Sequence, residues 1–393
     1  DGTTPTDTVG TVYTAPVRVD RTLTLKAVAY RAGWTTSAVT EGEYRRVGIS
    51  AGASHTVLAK SDGTVWAWGG NDEGQIGDGT TTSRSTPIQV LAISGGVAVS
   101  AGYYHSVALT GEGAVWAWGR NMYGQLGDGT STQRLSPVQV PGLSGVTAVA
   151  ASENSTYALK GDGTLWAWGH NNEGQLGDGT KTDRYSPVQV QGLSDVAAVS
   201  AGALHGAALR SDGTVWTWGC NVFGALGDGT TTSRLTPIQV TSLSGMTGIA
   251  ADGYHTLAVK NDGTLWAWGT GSFGELGNGA MPMFSSTPVQ AIGLTAAAAA
   301  EAGAYHSVAL LDDGTLAACG YNLYGQLGDG TNTNRSIAVP VPGMSSVVAV
   351  GAGYLHTVAI VDDGTVWAWG HNHDYQLGDG TTTDRWIPVQ VIW

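Results

Sequence analysis

The stretch Val115-Trp-Ala-Trp-Gly119 and the loop after it, Asn121-Met-Tyr-Gly-Gln-Leu-Gly-Asp-Gly-Thr130, recur along the chain. They belong to a unit of 50 residues that is written seven times between residues 47 and 393. One extra residue lies between the fifth and sixth copies, and the sixth copy has Ala317 and Cys319 in place of the two tryptophans. A repeat of this length made of short strands is typical of a solenoid, a propeller or an array.

Each copy contains four short segments with the alternation expected of β-strands. In the second copy they are Val97–Ser100, Ser106–Leu109, Val115–Gly119 and Pro137–Val140. Gly and Asp-Gly turns separate them, and no segment of ten or more residues shows the 3.6-residue apolar period of a helix. Four-stranded units repeated around an axis form a β-propeller. The sequence therefore predicts an all-β, seven-bladed propeller.

The two ends of the array suggest how the ring closes. It starts with a strand around Val47–Ser50 and stops with Pro388–Val391. A linear solenoid would need a polar cap at each end, and neither end shows one. We therefore predict that the N- and C-terminal strands of the array share the closing blade.

Charge and cysteine usage exclude several classes of function. The net charge is −13, and the five lysines form no basic stripe, so duplex DNA is not an expected partner. Cys220 and Cys319 occupy different repeat positions in non-adjacent copies, so no disulfide is expected. No apolar segment is long enough to insert into a membrane. The sparse charge suits an extracellular or cell-surface protein, and the sequence, which does not begin with Met, is interpreted as a mature or excised piece.

The repeat resembles that of the regulator of chromosome condensation family. The resemblance lies in Gly-x-x-His-[Ser/Thr]-x-Ala-Leu, then Asp-Gly-Thr-[Val/Leu]-Trp-Ala-Trp-Gly-x-Asn-x-x-Gly-Gln-Leu-Gly-Asp-Gly-Thr, and covers nearly all of 46–393. It implies a seven-bladed propeller but fixes no function, because related propellers serve as nucleotide exchange factors, ultraviolet photoreceptors, β-lactamase inhibitors and bacterial surface modules.

The first 44 residues resemble a different family, the chitobiase/hexosaminidase C-terminal β-sandwich module. The resemblance rests on Asp1-Gly-Thr-Thr-Pro-Thr, Val12-Tyr-Thr-Ala-Pro-Val and Thr22-Leu-Thr-Leu-Lys-Ala-Val-Ala-Tyr30, and it implies only the second half of that sandwich. We predict a partial sandwich over 1–44 and the propeller over 45–393. Half a sandwich leaves an open edge, so either the chain is truncated or another molecule supplies the strands, which would allow self-assembly by strand pairing.

Several recurrent residues are interpreted as structural. Each recurrent histidine is expected to bond backbone within its own blade, because propeller symmetry keeps equivalent side chains too far apart to share one metal ion. Trp66 and Trp68 point to the same sheet face and are expected to pack between blades. The Gly-x-x-His turns carry no Trp, which disfavours photoreception. The histidines are His55, His105, His205, His255, His306 and His356, and the third copy has Ser155.

Asp78 and Arg84 represent a pair that recurs six residues apart. The fifth copy has Asn278 and also lacks the arginine, so the two side chains are predicted to interact and brace the loop. Calcium binding is the alternative, although one Asp per loop supplies few oxygen ligands.

Positions where the copies differ are the candidates for function. They surround the recurrent Asn and should line one rim of the disc, where exposed aromatic residues are typical of protein contacts. Neutral drift on a solvated surface is the alternative, and His371 with His373 makes only a weak case for a metal. The candidate rim residues are Tyr103, Tyr104, Met122, Tyr123, Val222, Phe223, Phe273, Tyr321, Leu323, Tyr324, His371 and His373.

No nucleophile–base pair, paired carboxylates or phosphate-binding loop is present. We therefore expect a non-catalytic protein without cofactor or metal. The first hypothesis is a structural or protein-interaction module of a bacterial-type surface or secreted protein. It would bind a protein partner, or it would assemble with copies of itself through its N-terminal strands. The alternative is a secreted inhibitor or ligand-binding propeller that uses the rim. A small-GTPase exchange factor has less support, and carbohydrate binding has none.

Overall fold

The computed structural model describes residues 23–27, 37, 40–44 and 48–393. Strands β1 (Leu23–Ala27) and β2 (Thr40–Tyr44) pair antiparallel as a two-stranded sheet. The other residues of the predicted partial sandwich lie outside the described part of the chain. Within the described residues every regular element is a strand, and no helix long and apolar enough to span a membrane occurs among them.

Residues 48–393 form seven four-stranded antiparallel sheets, which confirms the predicted seven-bladed propeller. Each blade uses four strands that are consecutive in sequence, with the first strand at the central axis and the fourth at the outer edge. The strands are β3 (Gly48–Ala51), β4 (His55–Ala59), β5 (Val65–Gly69) and β6 (Arg84–Gln89) in blade 1; β7 (Gly96–Ala101), β8 (His105–Thr110), β9 (Val115–Gly119) and β10 (Arg134–Gln139) in blade 2; β11 (Val146–Ala151), β12 (Ser155–Lys160), β13 (Leu165–Gly169) and β14 (Arg184–Gln189) in blade 3; β15 (Val196–Ala201), β16 (His205–Arg210), β17 (Val215–Gly219) and β18 (Arg234–Gln239) in blade 4; β19 (Met246–Asp252), β20 (His255–Lys260), β21 (Leu265–Thr270) and β22 (Phe284–Gln290) in blade 5; β23 (Ala297–Ala302), β24 (His306–Leu311), β25 (Leu316–Gly320) and β26 (Arg335–Pro340) in blade 6; and β27 (Val347–Ala352), β28 (His356–Val361), β29 (Val366–Gly370) and β30 (Arg385–Gln390) in blade 7.

The turns divide the ring into two faces. We call the side that bears the Gly-x-x-His turns and the long loops after the third strands the His face. The opposite side, the Asp face, bears the Asp-Gly-Thr hairpin turns. In the turn of blade 1, Gly63 has φ 83°, which favours glycine. The Asp62 carboxylate accepts hydrogen bonds from both the N–H and the hydroxyl of Thr64. This local bonding explains why Asp-Gly-Thr recurs.

Adjacent blades are joined through one backbone carbonyl in each long loop. At the joint between blades 1 and 2, the Gln75 carbonyl accepts a hydrogen bond from the Trp118 indole N–H and another from the Ser106 hydroxyl, both at 2.8 Å. Trp118 is fully buried against apolar residues of blade 1. The second tryptophan of each pair therefore packs between blades, as the repeat pattern predicts, while the first, such as Trp66, is only partly buried.

The recurrent histidines also join blades, which corrects the prediction that each bonds backbone within its own blade. His55 Nε2 lies 2.9 Å from the Ser106 hydroxyl oxygen of the next blade. Because that hydroxyl donates to the Gln75 carbonyl, His55 must donate to it, so its Nε2 carries a proton. Burial lowers the pKa of His55 to about 3. The same contact to a Ser or Thr hydroxyl of the next blade is made by the other histidines, His105, His205, His255, His306 and His356.

The joint between blades 3 and 4 shows that histidine and hydroxyl are lost together. Blade 3 has Ser155 in place of the histidine, and blade 4 has Gly206 where the hydroxyl would be. Tyr157 replaces the missing bond, because its hydroxyl donates to the Gln175 carbonyl and its ring contacts Trp218 edge-on at 6.0 Å. Two partners from neighbouring copies are thus replaced as a unit.

The joint between blades 5 and 6 is the one that lacks a tryptophan. Cys319 takes that position, and its thiol lies 3.7 Å from the Glu275 carbonyl. Burial raises the pKa of the Glu275 carboxyl, whose Oε1 has no hydrogen-bond partner. A buried tryptophan removes about 150–250 Å² from water, so this joint has less apolar packing than the other six.

We therefore expect the ring to open first between blades 5 and 6. In hydrogen–deuterium exchange of the native protein, peptides covering β24 should exchange faster than those covering β8, which belongs to the joint of Trp118. Equal protection of the two strands would contradict this weak joint.

Ring closure does not use a shared blade, so that prediction is wrong. Blades 1 and 7 are each complete in themselves, because the Pro-x-Gln strand is the outer strand of its own unit rather than the start of the next. Blade 7 meets blade 1 through the usual joint, in which the Gln376 carbonyl accepts from Thr56 and Trp68 at 3.0 Å. Trp393 adds a contact across this joint, edge-on to Trp66 at 5.2 Å.

Candidate functional site

The long loops of the His face are held from within by a buried asparagine. In blade 2 the Asn121 amide donates to Asp128 and to the carbonyls of Thr130 and Thr132, while its oxygen accepts from the N–H of Leu126. All four bonds lie between 3.0 and 3.2 Å. This asparagine fixes the shape of the loop that presents the variable residues.

The recurrent Asp and Arg brace the same loop. Asp78 pairs with Arg84, and Asp128 pairs with Arg134 at 2.7 Å. Burial acts to raise the pKa of Asp128, but hydrogen bonds from Thr130 and Arg134 outweigh it and leave that pKa below its usual value. The predicted contact is therefore present. Because protein donors already occupy these carboxylates, the loops offer calcium few oxygen ligands.

We expect Asn121→Ala to lower the free energy of unfolding by about 1–3 kcal/mol, because it leaves buried backbone groups without partners. The change should appear as a lower midpoint in urea. The neighbouring Met122→Ala is the control and should shift the midpoint little, since Met122 is 58% exposed. Equal midpoints for the two variants would contradict the role of Asn121.

The structure brings most of the predicted rim residues together on the His face. Phe273 of blade 5 lies 4.9 Å from Tyr321 of blade 6, and Tyr324 lies 4.6 Å from His371 of blade 7. His371 in turn stacks on His373 at 6.2 Å. Met122, Val222 and Leu323 are not aromatic and take no part in these ring contacts, and each is more than half exposed.

Two tyrosines that were not among the predicted residues complete the arrangement. Tyr305 lies 5.7 Å from Phe273, and Tyr354 lies 5.3 Å from both Tyr305 and Tyr103. The Tyr305 and Tyr354 hydroxyl groups are hydrogen-bonded at 3.1 Å. We call the resulting continuous set of rings the aromatic band; its members are Tyr104, Tyr103, Tyr354, Tyr305, Phe273, Tyr321, Tyr324, His371 and His373.

Two predicted rim residues lie in separate pairs. Tyr123 packs on His170 at 4.3 Å, and Phe223 packs on Tyr254 at 5.3 Å. The aromatic band therefore runs over blades 2, 7, 6 and 5, whereas blades 3 and 4 carry isolated ring contacts. This makes one half of the His face chemically different from the other.

Acidic groups lie beside the inner end of the aromatic band. Burial raises the pKa of Asp252 to about 7, the Gly253 N–H opposes this by donating to the carboxylate at 2.6 Å, and nearby Glu153 raises it further. Burial likewise raises the pKa of Glu153, and Arg120 opposes it. Burial, then Asp252 and Glu153, raise the pKa of Tyr103. The band thus borders two carboxyl groups whose ionised forms are disfavoured by burial.

The described residues contain no group of three or more His, Cys, Asp or Glu side chains arranged to hold a metal ion. His371 and His373 stack on each other, and the His371 Nδ1 is 2.9 Å from the Gln376 amide. Cys220 and Cys319 are both buried free thiols. The chemistry available on the His face is therefore that of contact: aromatic surface, exposed apolar side chains and carboxylates.

Comparison with protein-family models gives matches along the whole propeller. A model described as RCC1-like domain matches residues 191–392, and the model for the regulator of chromosome condensation (RCC1) repeat matches residues 62–109, 112–159 and 162–209. Residues 1–44 match a model described as Fn3 associated. A chitobiase-type sandwich and a domain boundary after residue 44 stay predictions.

Curated relatives match over single repeats. The E3 ubiquitin-protein ligase HERC2 of Homo sapiens is 47% identical over 49 residues, which are 12% of this chain and 1% of that protein. The ultraviolet-B receptor UVR8 of Arabidopsis thaliana is 45% identical over 47 residues, 12% of this chain and 11% of that receptor. The chain therefore corresponds to a small part of either relative.

Solved structures match over the whole ring. Prp20p from Saccharomyces cerevisiae has a TM-score of 0.76 at 24% identity, with 85% of this chain and 87% of that one covered. Human WBSCR16 has a TM-score of 0.75 at 21% identity, with 84% and 94% covered. At these identities the similarity shows the shared fold alone.

Proposed function

Because the chain belongs to the RCC1-like domain family of β-propellers, we propose that it is a non-catalytic module that binds a protein partner through the aromatic band. The observation that carries the proposal is the continuity of the band. Nine aromatic rings from four blades lie in contact on one face of a rigid ring. Clustered aromatic side chains on a rigid surface are typical of binding hot spots.

Exposed apolar residues on the same face support the same proposal. Met122, Val222 and Leu323 are 58%, 52% and 52% exposed on the His face. The equivalent positions in blades 1 and 3 hold Asp72 and Asn172, so the loop accepts polar residues there. Burial of these apolar groups by a partner would remove them from water. Prp20p, which shares this fold, binds Gsp1p and histones.

A selection from a random peptide library tests the proposal. Peptides retained by the protein should lose at least about tenfold in affinity, or about 1.4 kcal/mol, for the variant Phe273→Glu, Tyr321→Thr, Tyr324→Asp. Each replacement is a residue that another copy carries at this position, so the fold should persist. The control is Leu91→Ser, which removes a side chain that is 84% exposed on the opposite side of the ring.

Retention of the peptides by both variants would contradict binding at the band, and so would equal loss in both. A secreted inhibitor would bind its target through the same surface, and the same variants would test it. The sparse charge of the chain supports an extracellular or cell-surface setting, which is part of this proposal.

Self-assembly is a second candidate, favoured by the sheet of β1 and β2. Among the described residues these strands pair only with each other, and an isolated two-stranded sheet is marginally stable. Within the described part of the chain each of these strands has one edge without a paired strand, which a second copy can extend. Sedimentation velocity should show species larger than the 40.3 kDa monomer that grow with concentration, and Thr24→Pro should reduce them. A monomer at all concentrations would contradict self-assembly.

A further inference from the structure

The outer edge of the joint between blades 5 and 6 carries four large apolar side chains that are exposed. Met281 and Met283 lie in the loop before β22, and Ile292 and Ile337 lie on the two sides of the joint; each is between 44% and 70% exposed. A Cβ atom added to Gly279 would lie 3.0 Å from Ile292 Cδ1 of blade 5 and 3.9 Å from Ile337 Cδ1 of blade 6. The two isoleucines therefore flank one glycine across the joint. We call the four exposed residues the edge patch.

The other copies of the repeat carry polar residues at these positions. The position of Ile337 is Ser or Thr in five of the seven copies. Met281 stands where the first copy has Thr81, and Ile292 stands where the third copy has Gln191. Since blades form with polar residues at each of these positions, the ring does not need the edge patch for its own construction. Clustered apolar side chains that remain exposed mark a surface for contact with another molecule.

The edge patch adjoins the aromatic band on both sides of Phe273. On one side, the Ser272 hydroxyl donates to the Met283 carbonyl at 3.3 Å. On the other side, a Cβ atom added to Gly274 would lie 2.7 Å from Ser336 Cα in β26, the strand that carries the isoleucine of blade 6. The residues before and after Phe273 thus contact the two halves of the patch, so the band and the patch are continuous.

The surroundings of the edge patch are uncharged. Residues 276–300 and 336–361 contain no Asp, Glu, Lys or Arg, although the chain as a whole has a net charge of −13. Arg335, at the start of β26, is paired with Asp329 at 2.8 Å. A charged group placed against the patch would therefore lose its hydration without gaining a partner of opposite charge. The surface favours uncharged apolar residues.

Building on the proposed function, we infer that the protein partner of the aromatic band continues past Phe273 and packs an uncharged apolar segment on the edge patch. The band and the patch form one apolar surface that bends from the His face onto the outer edge of blades 5 and 6. Methionine side chains are flexible and adapt to the shape of a partner, and removing exposed apolar groups from water is favourable. The partner is thus a peptide segment with an uncharged apolar block beside the residues that contact the band.

Peptides selected from a random library on the intact protein test the inference. The patch variant Met281→Thr, Ile292→Gln, Ile337→Thr takes each new residue from another copy. It should bind the selected peptides at least about tenfold more weakly than the intact protein does. Leu91→Gln is the matched control, because Leu91 holds the position of Ile292 at the joint between blades 1 and 2 and is also exposed. The control should bind the peptides as tightly as the intact protein.

A peptide in which the apolar block is replaced by serine shows where the block binds. This change should weaken binding to the intact protein but not to the patch variant, because the contact is already absent there. Equal weakening in both proteins would overturn the inference, as would equal affinity of the patch variant and Leu91→Gln for the selected peptides. If the patch variant has a lower urea midpoint, Met283→Thr is measured in the same way, since Met283 is the most exposed of the four residues.

Two further outcomes would reject the inference for different reasons. Peptides that lose affinity for the variant of Phe273, Tyr321 and Tyr324 but not for the patch variant would leave the proposed function standing and reject only this inference. Binding of phosphatidylcholine vesicles by the intact protein, lost in the patch variant, would overturn the inference as well, because the patch would then contact lipid.

Discussion

Replacing Trp168 by alanine is expected to lower the free energy of unfolding by about 3–5 kcal/mol, as full-size cavities in packed cores do. The indole is completely buried between blades 2 and 3, and its N–H donates to the Gln125 carbonyl at 2.9 Å. The substitution thus removes apolar packing and one of the two bonds at that carbonyl. Urea unfolding followed by tryptophan fluorescence measures the loss.

Trp166→Ala is the matched control, two residues away on the same strand. Trp166 is only partly buried, and its N–H bonds Thr164 within its own turn at 3.4 Å. We expect a clearly smaller loss for this variant. If both variants lost the same stability, joints between blades would not be the main support of the ring.

Acid should unfold the ring between about pH 6 and pH 4, with uptake of protons. Burial lowers the pKa of five joint histidines to about 3 and that of His205 to about 4. The unfolded chain protonates these groups near pH 6.5, whereas the folded chain does not until about pH 3 or 4. Stability is therefore present above pH 6.5 and falls as the pH drops, by up to about 1.4 kcal/mol per pH unit for each histidine.

Three carboxyl groups titrate in the opposite sense. Burial raises the pKa of Asp252, Glu153 and Glu275, so these groups stabilise the folded protein as the pH falls. The six histidines outnumber these three carboxyl groups. The protein should therefore take up at least about three protons when it unfolds near pH 5. Urea unfolding measured across this pH range gives the free energy of unfolding at each pH. The slope of that free energy against pH gives the number of protons taken up. A stability independent of pH between 6 and 4 would contradict neutral buried histidines.

The third blade supplies a variant that isolates one histidine. There Ser152 and Ser155 bond each other at 2.7 Å in place of Gly and His. The variant His105→Ser introduces the same residue into blade 2 and should reduce proton uptake by about one. An unchanged uptake would assign the acid sensitivity to other groups.

Much of the fold follows from the repeat alone. Trp-x-Trp alternation, Asp-Gly-Thr turns and the absence of a helical period determine the strands, and the shared loss of Asp and Arg in the fifth copy reveals their contact. Ring closure could not be predicted in the same way. Pro388–Val391 as a strand is compatible with either the end of one blade or the start of the next, and only the register of β30 on β29 decides between them.

Contacts between copies were harder to predict than contacts within them. His55 meets Ser106, a residue 51 positions away in the next copy, and periodicity cannot say which neighbouring blade a side chain will reach. One signal in the sequence could have shown this contact. Ser155 replaces the histidine of the third copy, and Gly206 replaces the hydroxyl residue of the fourth. Tyr305 and Tyr354 were missed for a related reason. Tyr305 is the second variable residue of its Gly-x-x-His turn and Tyr354 is the first of its own, so the two are not equivalent in the repeat. The curvature of the ring brings them together.

Hydrogen exchange with a library-selected peptide bound is the most direct test that the aromatic band is the binding surface. We expect slower exchange on the His face, at residues 103–105, 271–275, 304–306, 321–325 and 354–356. The hairpin turns of the Asp face, such as 162–164, should exchange as in the free protein. Protection of those turns, with the band unaffected, would contradict the account.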